Sequence, residues 1–244
     1  MSHLPRFFID PSQIAGASIV VTGDDLRHIR TVLRKGPGDL VTLLDGAGME
    51  YTVRITGSGK DSIVCEMVSQ AKHELSGPRV VLGQGIAKSD KMDWIVQKAT
   101  ELGVWSLVPL VTERTIVKVK DEEKRLQRWR KIAREAAMQS RRLDIPRIGP
   151  ITKLDVFLAG LMPGPASLFL IPWEEGTRPV KDVLRSYPDA KDVTVLIGPE
   201  GGFALSEAKA AQDRGFQAVS LGPAILRTET AAIAALSMIA YELR

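Results

Sequence analysis

"VTVLIGPEGGF" (193–203) and "AVSLGPAILRTET" (218–230) decide how this chain folds. Each begins as a short apolar run suited to a buried strand and ends at a glycine. The first continues into Gly198, Pro199, Glu200, Gly201 and Gly202, the second into Gly222 and Pro223. A helix from about Ser206 to Arg214 is expected between the two strands. Neighbouring parallel strands that both end in glycine loops form a crevice beyond their carboxyl ends. There, backbone groups meet a ligand unshielded by side chains. One such loop is an ordinary turn. Two together, one with a carboxylate and one with an Arg-Glu pair, point to a site. After Gly222-Pro223, the residues Ala224, Ile225 and Leu226 form an apolar loop that could line a flat heterocycle. Thr228 is expected to cap the final helix. Glu229 then falls in its first turn, where the helix dipole favours negative charge.

Working outward, the stretch from Pro78 onward alternates strands and helices. "RVVLGQGIA", "VWSLVPLV", "SLFLIP", "VTVLIG" and "QAVSLG" read as buried strands. Asp90 is expected to cap a helix with Met92, Ile95, Val96, Ala99 and Leu102 on one face, stopping at Gly103. A long helix over 122–140 should turn Leu126, Trp129, Ile132, Ala133 and Ala136 inward. This pattern predicts an α/β fold with an open, mostly parallel sheet covered by helices. The first seventy or so residues differ. Four short strand patterns within 17–70 surround a helix over 24–34 that carries Leu26, Ile29, Val32 and Leu33. That texture predicts a small β-barrel over 1–73, joined by "HELSGP" to a second domain over 78–244.

The chain of 244 residues carries a net charge of only +4, but the charge is unevenly spread. Residues 1–74 hold eight basic against nine acidic side chains, whereas 112–147 hold twelve against six. A basic block of this kind suits a phosphate backbone. The single cysteine, Cys65, excludes an internal disulfide. The opening "MSHLPRFFID" has no signal-peptide core, and no apolar stretch approaches the roughly 20 residues needed to span a bilayer. The expectation is a soluble cytoplasmic protein. A phosphate loop, a GxGxxG dinucleotide fingerprint and a GxSxG nucleophile elbow are all missing. His3, His28 and His73 are too scattered to suggest a metal site.

At this point a resemblance becomes specific. "LIGPEGGF", "LGPAILRTETA" and "KSDKMDWIVQKATELGV" are similar to signatures of the ribosomal RNA small-subunit methyltransferase E family. "TERTIVK", "RWRKIAREAAMQSRR", "DIPRI", "HIRTVLRKGPGD" and "LLDGAG" follow that family's pattern across nearly the whole chain. The resemblance implies a SPOUT-type sheet with a C-terminal trefoil knot, a PUA-like N-terminal barrel and a homodimer. It also implies S-adenosyl-L-methionine as cofactor and N3 of a uridine in 16S ribosomal RNA of the assembled small subunit as acceptor. Carried onto this sequence, the cofactor residues are Ile197, Gly198, Pro199, Gly201, Gly202, Leu221, Gly222, Ile225, Leu226, Arg227 and Thr228. A third wall falls at Pro172, Trp173 and Glu174.

Methyl transfer from a sulfonium to nitrogen is a direct displacement that needs alignment and removal of the N3 proton. Glu200 and Glu229 are the candidate proton acceptors. Arg227 and Arg114 are the candidates to stabilise a uridine anion or hold a phosphate, and Arg227 is expected to be the most activity-sensitive. RNA-binding candidates are Arg27, Arg30 and Arg34 beside His28, and Arg114, Arg134, Arg141 and Arg142 in the basic block. No metal is expected. A non-catalytic RNA-binding factor would need the basic block but not both glycine loops. A ribose methyltransferase would share the knot but not these signatures.

Overall fold

Alternating burial builds the N-terminal unit. In the computed structural model, which describes residues 4–74, 77–117 and 121–243, this unit holds seven labelled elements. They are β1 (Arg6–Phe8), β2 (Ile14–Ala15), β3 (Ser18–Val21), α1 (Asp24–Arg27), β4 (Leu40–Leu44), β5 (Met49–Ser58) and β6 (Ile63–Lys72). The strands form one sheet in the order β1-β4-β5-β6-β3-β2, antiparallel except for β1 beside β4. Ile19 and Val21, Tyr51, Val53 and Ile55, and Ile63 and Cys65 point to one face, where they bury with Phe7, Val41 and Leu43. Register shifts at Thr52/Val53 and Ile55/Gly57 bend β5 against β6. β1 carries no clear strand pattern in the sequence. It forms because Phe7 and Phe8 bury on opposite faces.

The helix expected over 24–34 is corrected. It is α-helical only to Arg27 and continues as a π-helical turn over His28–Val32. The wider turn breaks the 3.6-residue stripe. Leu26 and Ile29 stay buried, but Val32 is 64% and Leu33 37% exposed.

The second unit is a parallel sheet with helices. Its elements are β7 (Arg79–Gly85), α2 (Ser89–Glu101), β8 (Ser106–Val111), α3 (Glu122–Gln139), β9 (Arg147–Ile148), β10 (Thr152–Lys153), α4 (Leu154–Ala159), β11 (Ser167–Pro172), β12 (Arg178–Pro179), α5 (Val180–Arg185), β13 (Asp192–Ile197), α6 (Leu205–Asp213), β14 (Gln217–Ser220) and α7 (Thr228–Leu243). The strand order is β10-β8-β7-β13-β11-β14-β12, with β9 also on β8, and every pairing is parallel. Strands buried on both faces read as continuous apolar runs, as β11 and β13 do. α7 packs against α2, α5 and β13, while α4 packs against α6. Phe169 and Phe216 stack with ring centroids 5.0 Å apart within the core that also holds Leu110, Leu158 and Ile171.

Two local expectations change. Asp90 does not cap α2; Lys88 is the N-cap and has no side-chain bond of its own. The other end behaves as expected: Gly103 (φ +82°) donates to Thr100, and Val104 to Ala99, closing the helix. Ile132 of α3 is only half-buried, whereas Leu126, Trp129, Ala133 and Ala136 are buried.

The chain divides into Met1–Leu75 with Ala137–Ile145, and Ser76–Ala136 with Pro146–Arg244. The short segment Ala137–Ile145 thus groups with the first unit. Ala137, Met138, Leu143 and Ile145 close over Phe8 and Leu44 in the first unit. Ala47 bridges Asp144 there as well.

Candidate active site

Register places the carboxyl ends of β11, β13 and β14 side by side: Leu170 is level with both Val195 and Gln217, and Pro172 with Val219. The loops that leave these strands enclose a crevice of about 480 Å³. Its walls are Ile197 to Phe203, Val219 to Thr228, and Pro172 to Glu174, with Lys91, Arg114 and Ala231. Every residue expected at the cofactor position lines it. So do Arg227, Arg114 and Glu200 among the expected catalytic residues.

The glycines of the first loop differ in their reasons. A Cβ on Gly198 would lie 2.9 Å from the Gly202 carbonyl carbon, and one on Gly85 would lie 2.5 Å from the Pro199 ring. The loop thus folds tightly on itself and on the end of β7. Gly202 (φ +67°) and Gly222 (φ +133°) need glycine for their backbone conformation instead, with open space beside them.

Thr228 is corrected from its expected capping role. It is the first residue of α7, and its backbone neighbour Arg227 supplies the carbonyl that accepts from Ala231 N–H at 2.8 Å. The buried Thr228 hydroxyl donates to the Gly198 carbonyl at 2.6 Å and accepts from Gln84 Nε2 at 3.0 Å. Gln84 is fully buried and also donates to the Gly85 carbonyl at 2.9 Å. Two loops far apart in sequence are thereby tied beneath the crevice.

A carboxylate anchors the opposite wall. Glu207 accepts from Ala204 N–H at 2.9 Å and Glu113 N–H at 2.8 Å, linking the start of α6 to the loop after β8. That loop presents Arg114, whose Nη1 donates to the Gly201 carbonyl at 2.9 Å. Arg227 is exposed on the crevice, and among the described residues it makes no ion pair or side-chain hydrogen bond.

Glu200 and Glu229 part company. Glu200 lines the crevice and accepts from Lys88 N–H at 3.1 Å. Glu229 does not line it; its side chain is 17% exposed and lies 3.3 Å from Lys91 Nζ. This geometry gives Glu229 a place behind the wall. Lys91 itself, also 3.8 Å from Glu200, was not anticipated from the sequence, nor was Gln84. The available signals were Lys91 lying four residues before Ile95 of the buried stripe and Gln84 sitting as the one amide in an apolar strand.

The basic block is partly neutralised where it stands. Arg128 makes a two-pronged pair with Asp93, with a shortest distance of 2.6 Å. Arg130 pairs with Glu123, Lys131 with Glu135, and the largely buried Arg142 with Asp144 at 2.6 Å. Arg147 lies over the Trp105 ring at 5.0 Å. Arg142, expected on the RNA surface, is held largely buried by its pair with Asp144. Arg141 (φ +58°) is exposed in the first unit, and Arg134 sits half-buried on α3. Arg30 donates to the carbonyls of Gly59 and Lys60, while Arg27 and Arg34 are exposed and His28 meets Phe7 edge-on. Lys118 and Lys120 lie outside the described residues. No helix among the described residues is long and apolar enough to cross a membrane.

Known proteins are similar to this chain in sequence and in fold. The profile of an RNA methyltransferase domain matches residues 74–240, and that of an RNA methyltransferase PUA domain matches 21–68. The chain thus falls in the class of RNA methyltransferases. "Ribosomal RNA small subunit methyltransferase E" of Bacillus subtilis is 31% identical over 98% of this chain and 97% of its own length. The protein of that name from Aquifex aeolicus is 37% identical over 92% and 94%. A crystal structure of the Neisseria gonorrhoeae protein, bound to S-adenosyl methionine, superposes with a TM-score of 0.87 at 32% identity over 99% of this chain and 98% of that one. This chain belongs to the ribosomal RNA small subunit methyltransferase E family.

Proposed function

We propose that this chain uses S-adenosyl-L-methionine to methylate N3 of a uridine in 16S ribosomal RNA of the assembled small subunit. The observation that carries this reading is the crevice in which two glycine loops and the Pro172–Glu174 segment end three neighbouring parallel strands. Its residues fit the cofactor. Ile197, Ile225 and Leu226 offer apolar surface to a flat heterocycle, the glycine loops expose backbone donors and acceptors, and Glu174 and Glu200 supply negative charge for a cation. Its volume is in the range usual for small-molecule sites.

When bound, S-adenosylmethionine supplies a methyl group on a sulfonium, activated for direct displacement. The protein's own contribution is alignment of the acceptor and control of charge. Arg227, exposed on the crevice and unpaired among the described residues, is the group we place against the uridine as its N3 proton leaves, where a fixed cation stabilises the developing anion. Glu200 is the one of the two expected proton acceptors that reaches the crevice. Arg114 braces the Gly201 carbonyl and is available to a phosphate.

The same reading takes residues 1–73 as a PUA-like barrel that holds RNA and 78–244 as a catalytic domain with a trefoil knot. Exposed Arg27 and Arg34 support the first, and the crevice at the ends of β11, β13 and β14 supports the catalytic role of the second. It takes the molecule as a cytoplasmic homodimer, a state supported by the apolar groove of Leu184, Met238 and the 84% exposed Tyr241.

The test is incubation with labelled S-adenosylmethionine and undermethylated small subunits, followed by digestion to nucleosides. Label in 3-methyluridine is expected; label on a ribose, or none, overturns the reading. In the same assay Arg227→Ala should lower methylation by about a hundredfold, the usual loss for one transition-state donor, with cofactor affinity nearly unchanged. Near-normal methylation by that variant would remove Arg227 from the mechanism.

A further inference from the structure

Lys91 joins three elements around the crevice that share no continuous backbone, its own helix α2, the loop after β13 and the start of α7. It sits in the first turn of α2 with its side chain 28% exposed, and it lines the crevice. Its Nζ lies 3.3 Å from Glu229 at the start of α7 and 3.8 Å from Glu200 in the loop after β13. Glu200 is held a second time by Lys88 N–H at 3.1 Å, again from the start of α2. One oxygen of Glu229 is fully buried and makes no hydrogen bond, so Lys91 is the cation that balances it there. We infer that Lys91 is a positioning residue for the methyl transfer, clamping the glycine loop and the start of α7 onto α2 so that the cofactor crevice keeps its shape.

Two effects oppose each other when Lys91 is removed. Loss of the clamp loosens both walls, which weakens any ligand seated between them. Loss of its positive charge leaves Glu200 beside the pocket, and Glu229 behind its wall, without their cation, which favours binding of a sulfonium. The geometry decides for the clamp. Glu229 lies behind the wall and Glu200 already engages a backbone N–H, so neither is free to follow a ligand. Without Lys91 the two carboxylates also repel each other across the junction they now stabilise.

The inference rests on the reading that the crevice holds S-adenosylmethionine. Its test is calorimetric titration of the full-length protein with S-adenosylmethionine and, separately, with S-adenosylhomocysteine, which lacks the sulfonium charge. Lys91→Met should weaken both ligands by a similar factor of about five, the range that two partly exposed ion pairs can supply. Lys91→Arg should restore most of the loss. Glu229→Gln should add little to Lys91→Met, because both break the same junction. Unchanged or tighter binding of S-adenosylmethionine by Lys91→Met overturns the clamp, as does weakening confined to the charged ligand or failure of arginine to rescue. Failure of the wild-type protein to bind either ligand overturns the cofactor reading instead.

Discussion

At the scale of single residues, the threonine beneath the crevice has the sharpest consequence. Thr228→Val keeps the shape of the side chain but removes a hydroxyl that both donates to Gly198 and accepts from buried Gln84. Two buried polar groups would be left without that partner, at about 1–3 kcal/mol for an unsatisfied group. Urea unfolding should show this loss, and cofactor affinity should fall with it; Thr228→Ser should keep most of both. Equal stability of the valine variant would mean that the hydroxyl contributes nothing to the junction. Cys65 gives a second test, set by burial alone. Burial pushes its thiol up to about 11 from the ordinary 9.0. Below pH 9 the folded and unfolded chains both hold the proton, and the contribution to stability is complete. As pH rises from 9 toward 11, the unfolded chain releases the proton first, so stability falls by at most about 1.4 kcal/mol per pH unit. Unfolding midpoints measured across this window should drop more steeply for the wild type than for Cys65→Ala.

At the scale of elements, the glycine loop after β13 separates two kinds of glycine. Gly198→Ala would press a methyl group onto the backbone of Gly202 and Phe203, at 2.9–3.2 Å, so the loop itself must move. Gly202→Ala faces open space and meets only the strain of a positive φ, on the order of 1 kcal/mol. Cofactor titration should therefore find Gly198→Ala much the more damaging of the two; the reverse order would mean that the loop tolerates movement and conformation governs. Sequence patterning reached these loops because glycine, proline and the strand ends all carry local signals. It reached α2 and its glycine stop for the same reason. It did not reach the functions of Thr228, Gln84 and Lys91, whose partners lie 30, 144 and 138 positions away. A hydroxyl at a helix start reads as a cap unless the distant carbonyl it serves is known. The π-helical turn at His28–Val32 was likewise invisible, since the apolar spacing of 24–34 fits an ordinary helix equally well.

At the scale of the whole molecule, the crevice and part of the exposed basic charge fall in different units. All the residues lining the crevice belong to the second unit, whereas the exposed Arg27 and Arg34 belong to the first. Several arginines that gave 112–147 its basic character are tied to carboxylates, so the unpaired charge available to RNA is smaller and more dispersed than composition implies. A ligand of the crevice should therefore not report on Arg27 and Arg34, which a phosphate backbone should. The double variant Arg27→Ala/Arg34→Ala tests this division. Each lost phosphate contact lowers the salt dependence of binding by about 0.7–0.9 in the log–log slope, or about 1.5 for two. The expected result is weaker binding of small-subunit RNA with a shallower salt slope, while S-adenosylmethionine affinity stays at the wild-type value. Unaltered RNA affinity across the salt series would remove these two arginines from the RNA surface. A parallel loss of cofactor affinity would show instead that the first unit governs the crevice, which its residues do not line.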